Sequence, residues 1–511
     1  MKKRMTQLAA LLAAAMLVLG GCAEKPEKPV IEEEPEIEIE EMEEPEKEPE
    51  EAEETESPLG IHVDKTPKTY YLPESDKAYL YLEYCDVTVE GDNYENLKRN
   101  IEGWSLERTE GLRSLYSSFE ESAASEAEAN EEFYGYSLYQ NATVARCDER
   151  IVSLIDETWQ YTGGAHGENY REGINFDAQS GKRLELREIF SDYETFRTEA
   201  VERIIYHLKE TYGEELFPDY VDVVENLFAD ETEPAWYLDG SGIVIVLQQY
   251  AVGPYSMGIP EIRFSYGEFK QYIKEAYLPA DLEGVSTFKE NQELFLKIGE
   301  EEYPMMLQCE WEEDFPSCSL WLGQSEKKLE QFAALKGSCL VRTGEEVYCM
   351  ITVDLASDDN RTYVYRLTDG ILDEIAQVDA AVDYGNLNTD GVKMEFYVNM
   401  LGSYYGVKTY RLDREKGFYT EETEYLLEDN SQVLTTKTDL PVVLDGTESI
   451  LPAGSNIILN ATDSETYVVF TIQETGQSGT LQVERSSEDQ YQILVDGKDE
   501  KDCFEMLPYA G

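Results

Sequence analysis

The sequence predicts a multidomain protein in which an α+β domain is followed by an all-β repeat region and a small β-barrel. Three observations predict this order. Over residues 61–280, strand-like and helical runs occur in blocks without a regular βαβ alternation. Over residues 288–430 the helical periodicity is lost and short strand-like runs recur. Residues 432–511 carry further short runs separated by glycine and proline turns.

Residues 1–22 have the order of a secretory signal peptide. Three basic residues at positions 2–4 precede an apolar run over 8–19, and Gly20, Gly21 and Cys22 follow. The apolar run is shorter than the roughly 20 residues that a membrane-spanning helix needs. The ending resembles a lipobox, so we expect Cys22 to carry the acyl chains that anchor the mature protein to the membrane from outside the cytoplasm. The alternative is an ordinary secreted protein with a chance cysteine.

Residues 23–58 are predicted to be a disordered acidic stalk. Positions 24–57 contain eighteen glutamates, three lysines, five prolines and no aromatic residue. Such a composition cannot bury enough apolar surface to offset the entropy of ordering, and its charges repel one another. The alternative interpretation is an acidic docking tail.

The net charge of the chain is −65, from 107 acidic and 42 basic residues. A surface of this sign repels nucleic acid and attracts cationic partners over long range. Nucleic-acid binding is therefore excluded from the predicted functions.

The α+β domain is predicted from periodicity. Alternation of apolar and polar residues indicates strands, and apolar residues three and four positions apart indicate helices. The predicted strands are 78–89, 134–147, 150–161, 242–250 and 261–264, and the predicted helices are 93–128, 193–212, 220–229 and 267–277.

The β-rich region contains a weak internal repeat with a period of 45 residues. Its three copies are Leu320-Trp321-Leu322, Tyr365-Arg366-Leu367 and Tyr410-Arg411-Leu412. This period is typical of a propeller blade, although three copies cannot close a ring and chance similarity is the alternative. The region that follows, 432–511, resembles a small SH3-like β-barrel.

The cysteines leave two interpretations open. Seven remain besides Cys22, and an exported protein can form disulfides. Cys339 and Cys349 flank a predicted hairpin turn and are candidates to face each other. The alternative is that all seven are reduced and buried.

The inventory of catalytic motifs is small, so the sequence does not predict an enzyme. The chain contains only His62, His166 and His207, and it lacks the H-E-x-x-H, G-x-S-x-G and Walker patterns. The imidazole of His207 is expected on a helix face, and His62 is expected in solvent. An enzyme of unrecognised type would have His166 as its candidate residue.

Three landmarks carry a family resemblance. The first is Thr162-Gly163-Gly164-Ala165-His166-Gly167, the second is Asn175-Phe176-Asp177, and the third runs from Trp236-Tyr237-Leu238-Asp239-Gly240 to Gly253-Pro254-Tyr255. In this order they resemble the extracytoplasmic domain family of the RsiV anti-sigma factor, which is also fused to the deacetylase PdaC. The resemblance covers about residues 66–278. The metal motif of the deacetylase domain and a cytoplasmic sigma-binding segment are lacking in this sequence.

The resemblance implies a non-catalytic binding module displayed at the cell envelope, with lysozyme-like cationic proteins as the ligand class. The candidate binding residues are Tyr161, Thr162, Gly163, Gly164, His166 and Tyr255. A purely structural role for the glycine–histidine loop remains open. The alternative function is a peptidoglycan-associated assembly protein that binds cell-wall glycan through the repeats and the barrel.

One run matches part of a calcium loop. Asn386, Asn388 and Asp390 occupy ligand positions 1, 3 and 5, and Gly391 follows at position 6. Position 12 is Tyr397 instead of glutamate, so a metal-free turn is the competing interpretation. No other cofactor is predicted.

Overall fold

The computed structural model describes residues 57–509, except 74, 76, 230–231, 280, 312–315, 357–358, 429–431 and 487–491. The predicted signal peptide with Cys22 and nearly all of the predicted stalk lie outside the described residues. Among the described residues, no helix is both long and apolar enough to cross a lipid bilayer.

The first part of the fold is a sheet covered by one long helix. The elements are β1 (Gly60–Tyr71), β2 (Ala78–Glu90), α1 (Glu95–Ala129), β3 (Tyr136–Asp148), β4 (Ile151–Tyr161) and β5 (Glu168–Asp177). β2 and β3 pair in parallel, and the other neighbours pair antiparallel. α1 buries Leu97, Ile101, Ser105, Thr109 and Leu112, a stripe at helical spacing. The elements predicted here lie within a few residues of those observed.

The second part contains the helical segment. Its elements are α2 (Tyr193–Tyr212), α3 (Tyr220–Leu227), β6 (Ala235–Leu238), β7 (Gly242–Val246), β8 (Glu261–Ser265) and α4 (Tyr266–Phe269). Asp192 caps α2 by accepting a hydrogen bond from the Thr195 backbone N–H. The buried stripe of α2 is Phe196, Ala200, Ile204 and Leu208, and His207 lies on the exposed side, as the periodicity predicts.

The helix predicted over 267–277 is wrong in length, because α4 is a single turn. Beyond it, Ile273 forms a β-bridge with Phe190, and the Lys274 backbone N–H donates to the Ile189 carbonyl. These long-range bonds replace the hydrogen bonds that would continue the helix.

A short strand joins the predicted α+β domain to the β-rich region. β9 (Gly284–Thr287) pairs with Arg146–Asp148 at the end of β3. On its other side it pairs with β14 (Ala334–Thr343). The predicted boundary between 280 and 288 therefore falls where a single sheet crosses from one region to the next.

The three copies of the sequence repeat occupy equivalent places in three antiparallel meanders of the described chain. The first meander is β10 (Glu293–Ile298), β11 (Glu301–Glu310), β12 (Ser317–Leu322) and β13 (Ser325–Leu329). The second is β14, β15 (Glu346–Asp354), β16 (Asn360–Thr368) and β17 (Ile371–Val378). The third is β18 (Ala381–Leu387), β19 (Val392–Asn399), β20 (Ser403–Asp413) and β21 (Gly417–Tyr419). Each copy lies in the third strand, so the 45-residue period corresponds to one meander.

The described residues of the C-terminal region show no closed barrel, contrary to the prediction. Its elements are β22 (Tyr425–Leu427), β23 (Leu434–Thr435), β24 (Leu440–Leu444), β25 (Thr447–Leu451), β26 (Asn456–Thr462), β27 (Tyr467–Ile472), β28 (Ser478–Arg485), β29 (Ile493–Val495), β30 (Lys498–Asp499) and α5 (Glu500–Cys503). β22 pairs with both β20 and β26, so within the described residues these strands extend the third meander as one sheet. The physical reason is a shared core, in which Met400 and Tyr404 pack with Leu459 and Phe470.

The cysteine pattern differs from the predicted one. Cys309 and Cys318 are directly opposite each other on β11 and β12 and form a disulfide. Cys339 is opposite Met350, and Cys349 is opposite Leu340. The offset of one residue places Cys339 and Cys349 on opposite faces of the sheet, where both are buried and free.

Candidate functional site

The glycine–histidine run forms an exposed turn between β4 and β5. Thr162, Gly163, Gly164 and His166 are all exposed. Gly163 and Gly164 have φ angles of 89° and 104°, which residues with a Cβ rarely adopt. The Tyr161 hydroxyl donates to the Gly164 carbonyl at 3.1 Å and closes the turn. The two glycines are therefore required by the path of the backbone.

Gly167 ends the turn and fixes it against the sheet. It is buried, and a Cβ at this position would lie 2.7 Å from the Trp159 indole and 2.7 Å from the Gln160 carbonyl oxygen. Because both neighbours belong to β4, a side chain at Gly167 would displace the loop. The absence of a side chain at position 167 thus sets the position of His166.

His166 is the centre of an aromatic cluster. Its ring stacks on Tyr255, with centroids 3.8 Å apart and planes 16° from parallel. Nδ1 lies 3.1 Å from the Gly167 carbonyl, which can only accept, so Nδ1 is the donor. Nε2 lies 3.0 Å from the Tyr250 hydroxyl, and in the neutral imidazole it accepts this bond. The cluster of His166, Tyr250 and Tyr255 is hereafter called the His166 cluster.

The sequence predicted His166 and Tyr255 as site residues, and the structure brings them into contact. It also adds Tyr250, which is not among the predicted site residues. Tyr250 adopts a φ of 65° and is 44% exposed, against 38% for Tyr255. Its signal in the sequence was its place in the third landmark, but the hydrogen bond to His166 depends on a long-range contact.

Two glutamines fasten the segment that carries Tyr250 to the edge strand β5. Gln249 Oε1 accepts from the Asn169 backbone N–H at 3.0 Å. Gln248 Oε1 accepts from the Arg171 backbone N–H at 3.1 Å, and its Nε2 donates to the Arg171 carbonyl. Side-chain amides thus satisfy the free edge of β5, and they position the tyrosines next to the glycine loop.

The second landmark, Asn175-Phe176-Asp177, lies at the end of β5 and contacts β6. Asn175 Oδ1 accepts from the Ser153 hydroxyl at 2.6 Å, and its Nδ2 donates to the Trp236 carbonyl at 2.8 Å. All three residues are buried. Beside them, a Cβ on Gly173 would lie 1.7 Å from the Trp236 carbonyl oxygen. The second and third sequence landmarks therefore meet where β5 packs on β6, whereas the first and third meet at the His166–Tyr255 stack.

A row of rings extends from the glycine loop along the sheet. Trp159 stacks with Tyr161 at a centroid distance of 6.3 Å and with Tyr139 at 5.5 Å. Tyr139 is 38% exposed at the outer end of the row. The predicted residue Tyr161 therefore connects the loop to further exposed aromatic surface.

The structure gives the predicted calcium-loop asparagines a different role. Asn388 Oδ1 accepts from the Ile61 backbone N–H at 2.8 Å, and its Nδ2 donates to the Ile61 carbonyl at 2.9 Å. Asn386 bonds the N–H and carbonyl of Val63 in the same way, at 3.2 and 3.0 Å. Asp390 is exposed. The two amides pair with the edge of β1 as a neighbouring strand would, which favours the metal-free turn over calcium ligation; calcium ligation itself stays a prediction.

The His166 cluster presents ring faces and hydrogen-bonding groups at an exposed position. Its imidazole nitrogens are both engaged, and its two tyrosine rings present exposed surface. Within the described residues, no three His, Cys, Asp or Glu side chains come together as a metal site.

The comparisons identify a domain in the middle of the chain. Residues 187–267 match the family described as a protein of unknown function, DUF3298. This domain is found in RsiV/PdaC-like proteins, and the matched segment contains α2, α3, Tyr250 and Tyr255. The glycine loop lies before the matched segment. No curated protein matches the sequence.

Two crystal structures of DUF3298 proteins are similar to this chain. One is a family member from Bacteroides fragilis, with 18% identity and a TM-score of 0.34, covering 43% of this chain and 94% of that one. The other is from Pseudomonas aeruginosa, with 19% identity and a TM-score of 0.30, covering 44% of this chain and 98% of that one.

Proposed function

We propose that this protein is a lipid-anchored lipoprotein of the cell envelope that binds a cationic protein, of the lysozyme class, through the His166 cluster. The observation that carries the proposal is the cluster itself. Three rings from two distant segments are held in fixed contact at an exposed position, and the residues that hold them are buried or hydrogen-bonded.

The charge of the chain supports a cationic ligand. At a net charge of −65, long-range attraction would raise the rate of encounter with a basic protein. Lysine and arginine side chains also bind the faces of aromatic rings, with about 0.5–2 kcal/mol per contact. Charge would then bring the partner to the surface, and the rings would provide the specific contact.

The disulfide supports a location outside the cytoplasm. Disulfides such as Cys309–Cys318 persist in oxidising compartments and are rare in the cytosol. The lipid anchor at Cys22 rests on the sequence pattern of residues 1–22. Electrospray mass spectrometry of the protein purified from its host tests it, because cleavage before Cys22 and a diacylglycerol adduct are expected.

The binding experiment uses the mature full chain and lysozyme at physiological salt, measured by biolayer interferometry. Truncation of a central aromatic residue of an interface commonly costs 2 kcal/mol or more, so His166→Ala and Tyr255→Ala are each expected to weaken binding by about tenfold or more. Tyr206→Ala removes an equally aromatic, exposed residue of α2 and is the matched control.

The proposal fails if lysozyme binds no better than it binds an unrelated acidic protein of matched charge. It also fails if the His166 and Tyr255 variants bind as the Tyr206 control does. Both outcomes would leave net charge as the whole cause of any retention, because exposed charges act without defined geometry and are screened by salt.

A further inference from the structure

A cleft of about 590 Å³ lies away from the His166 cluster, between the first sheet and the third meander. One wall belongs to β1, β2 and β3, and the other belongs to β19, β20 and the residue after β22. Pockets of this size are typical of ligand sites and often lie between structural regions. Charged and aromatic side chains line it, among them Lys65, Glu83, Tyr139, Glu395, Tyr405 and Glu428.

The charges in the cleft are unequal. Lys65 lies 3.8 Å from Glu395, and Lys393 lies 2.5 Å from Glu428 and 3.7 Å from Asp383. Lys68 is a third ammonium group in the lining, so three lysines face the carboxylates of Asp64, Glu83, Glu395 and Glu428. The Glu83 carboxylate is attracted by Lys65 and repelled by Glu428. Together with Asp383, these carboxylates outnumber the three ammonium groups, so the cleft can accept another positive charge.

Aromatic rings stand beside the Glu83 carboxylate. Tyr81 and Tyr139 line the first wall next to Glu83, and Tyr405 lines the second. Tyr139 and Tyr405 are 38% and 48% exposed, so ring surface is open to the cleft. Rings next to carboxylates form the usual receptor for an organic cation, because the ring faces attract positive charge without needing to be neutralised.

We propose that this cleft binds a protonated amine or guanidinium group on an extended stem. Two sources share this chemistry: a lysine or arginine side chain of a partner protein, and a free polyamine. The proposal does not depend on the His166 cluster, because the contacts of His166 among the described residues are with Gly167, Tyr250 and Tyr255, none of which lines the cleft.

The ionisation of the carboxylates supports the proposal. Burial, reinforced by Asp383 and Glu428, raises the pKa of Glu395 to about 7, against the opposing effect of Lys65 and Lys393. Burial also raises the pKa of Glu83. A bound cation would lower both pKa values, so binding at neutral pH is expected to release a proton.

The test is calorimetric titration of the mature full chain with three probes. N-acetyl-lysine methylamide represents a side chain, spermidine represents a free polyamine, and the Nε-acetylated lysine probe is the neutral counterpart of the first. We expect saturable binding of a charged probe and binding of the neutral probe weaker by about tenfold or more. Titration in two buffers of different ionisation enthalpy is expected to reveal proton release.

Glu83→Gln is expected to weaken charged-probe binding by about tenfold, and Tyr139→Leu is expected to weaken it severalfold. Glu302→Gln, at an exposed position of β11, is the matched control, and thermal unfolding checks that each variant is folded. Tighter binding of the capped lysine identifies a partner side chain as the source, and tighter binding of spermidine identifies a polyamine.

The proposal is overturned if no charged probe binds, if the neutral probe binds equally well, or if the folded Glu83→Gln variant binds as the Glu302→Gln control does. His166→Ala is expected to leave probe binding unchanged. The cleft and the proposed function at the His166 cluster therefore fail or succeed separately.

Discussion

The imidazole of His166 lies flat against the ring of Tyr255, and this contact joins the first and third sequence landmarks. Neither residue is held by its own segment alone. The lack of a side chain at Gly167 lets the glycine loop lie against Trp159. The Gln248 and Gln249 amides hold the segment that carries Tyr255 to β5. The exposed rings are therefore part of a fixed surface.

Removal of the stacked ring is expected to loosen the loop. Tyr255→Leu should cost about 1 kcal/mol, the usual worth of an aromatic pair beyond its area. The effect should be local, because the loop is exposed. Hydrogen exchange of the amides at 163–166 measures it, and faster exchange is expected. Tyr206→Leu should leave the exchange of these amides unchanged. Unaltered exchange in Tyr255→Leu would show that the Tyr255 ring does not hold the loop.

A methyl group at Gly173 is expected to disrupt the packing of β5 on β6. In Gly173→Ala the new Cβ would lie 1.7 Å from the Trp236 carbonyl oxygen, so the two strands must separate. The cost should exceed about 3 kcal/mol, in the range of severe overpacking. Chemical denaturation measures this loss.

Gly111→Ala is the control for that substitution. Gly111 lies in α1 with open space around it, and alanine there should stabilise the helix by up to about 1 kcal/mol. Equal stabilities of the Gly173 and Gly111 variants would show that the close approach of β5 to Trp236 is wrong.

The Asn388 amide is expected to be required for stability and not for calcium binding. Asn388→Asp replaces the donor to the Ile61 carbonyl with a carboxylate oxygen, and the unpaired buried groups should cost about 2–3 kcal/mol. Thermal unfolding measures the change. Asp390→Asn, at an exposed position, should have little effect. A rise in unfolding temperature with added calcium that Asp390→Asn removes would restore the calcium-loop interpretation.

Ionisation of Glu395 is expected to destabilise the fold. Its pKa in the folded protein, about 7, lies above the ordinary glutamate value of 4.5, so the folded state binds the extra proton in between. The contribution of protonated Glu395 to the free energy of unfolding is therefore fully present below about pH 4.5, and it is lost as the pH rises through 7.

Glu395→Gln should remove this dependence. At pH 8 the variant should exceed the wild-type stability by about 2 kcal/mol, after a reduction for the 28% exposure of the side chain, and the difference should vanish in acid. Denaturation at several pH values measures it. Glu302→Gln should follow the wild type throughout, and a variant that is less stable than the wild type at pH 8 would refute the prediction.

Helices and strands could be predicted from the sequence where the spacing of apolar residues within the segment determines them. α2 begins and ends at the predicted residues because its buried positions recur every four residues and Asp192 caps it. The predictions failed where long-range pairing decides the structure. The helix over 267–277 gives way to bonds with residues 189–191, and the terminal region joins the third meander through Tyr425 and Thr462.

The candidate site shows the same division. The motif from Thr162 to Gly167 could be recognised in the sequence because closely spaced glycines indicate a turn that residues with a side chain rarely adopt. Tyr250 was not selected, since its hydrogen bond to His166 needs the positive φ and the two glutamine contacts that only the folded chain provides. The disulfide between Cys309 and Cys318 was missed because its register depends on the pairing of β11 with β12.

Hydrogen exchange of the mature full chain, measured with and without lysozyme, tests whether the His166 cluster is the binding surface. If lysozyme binds there, exchange slows in two segments, 161–167 and 249–255, and α2 shows no comparable change around Tyr206. Unchanged exchange in both segments under conditions where lysozyme is bound would contradict the claim that the His166 cluster is the binding surface.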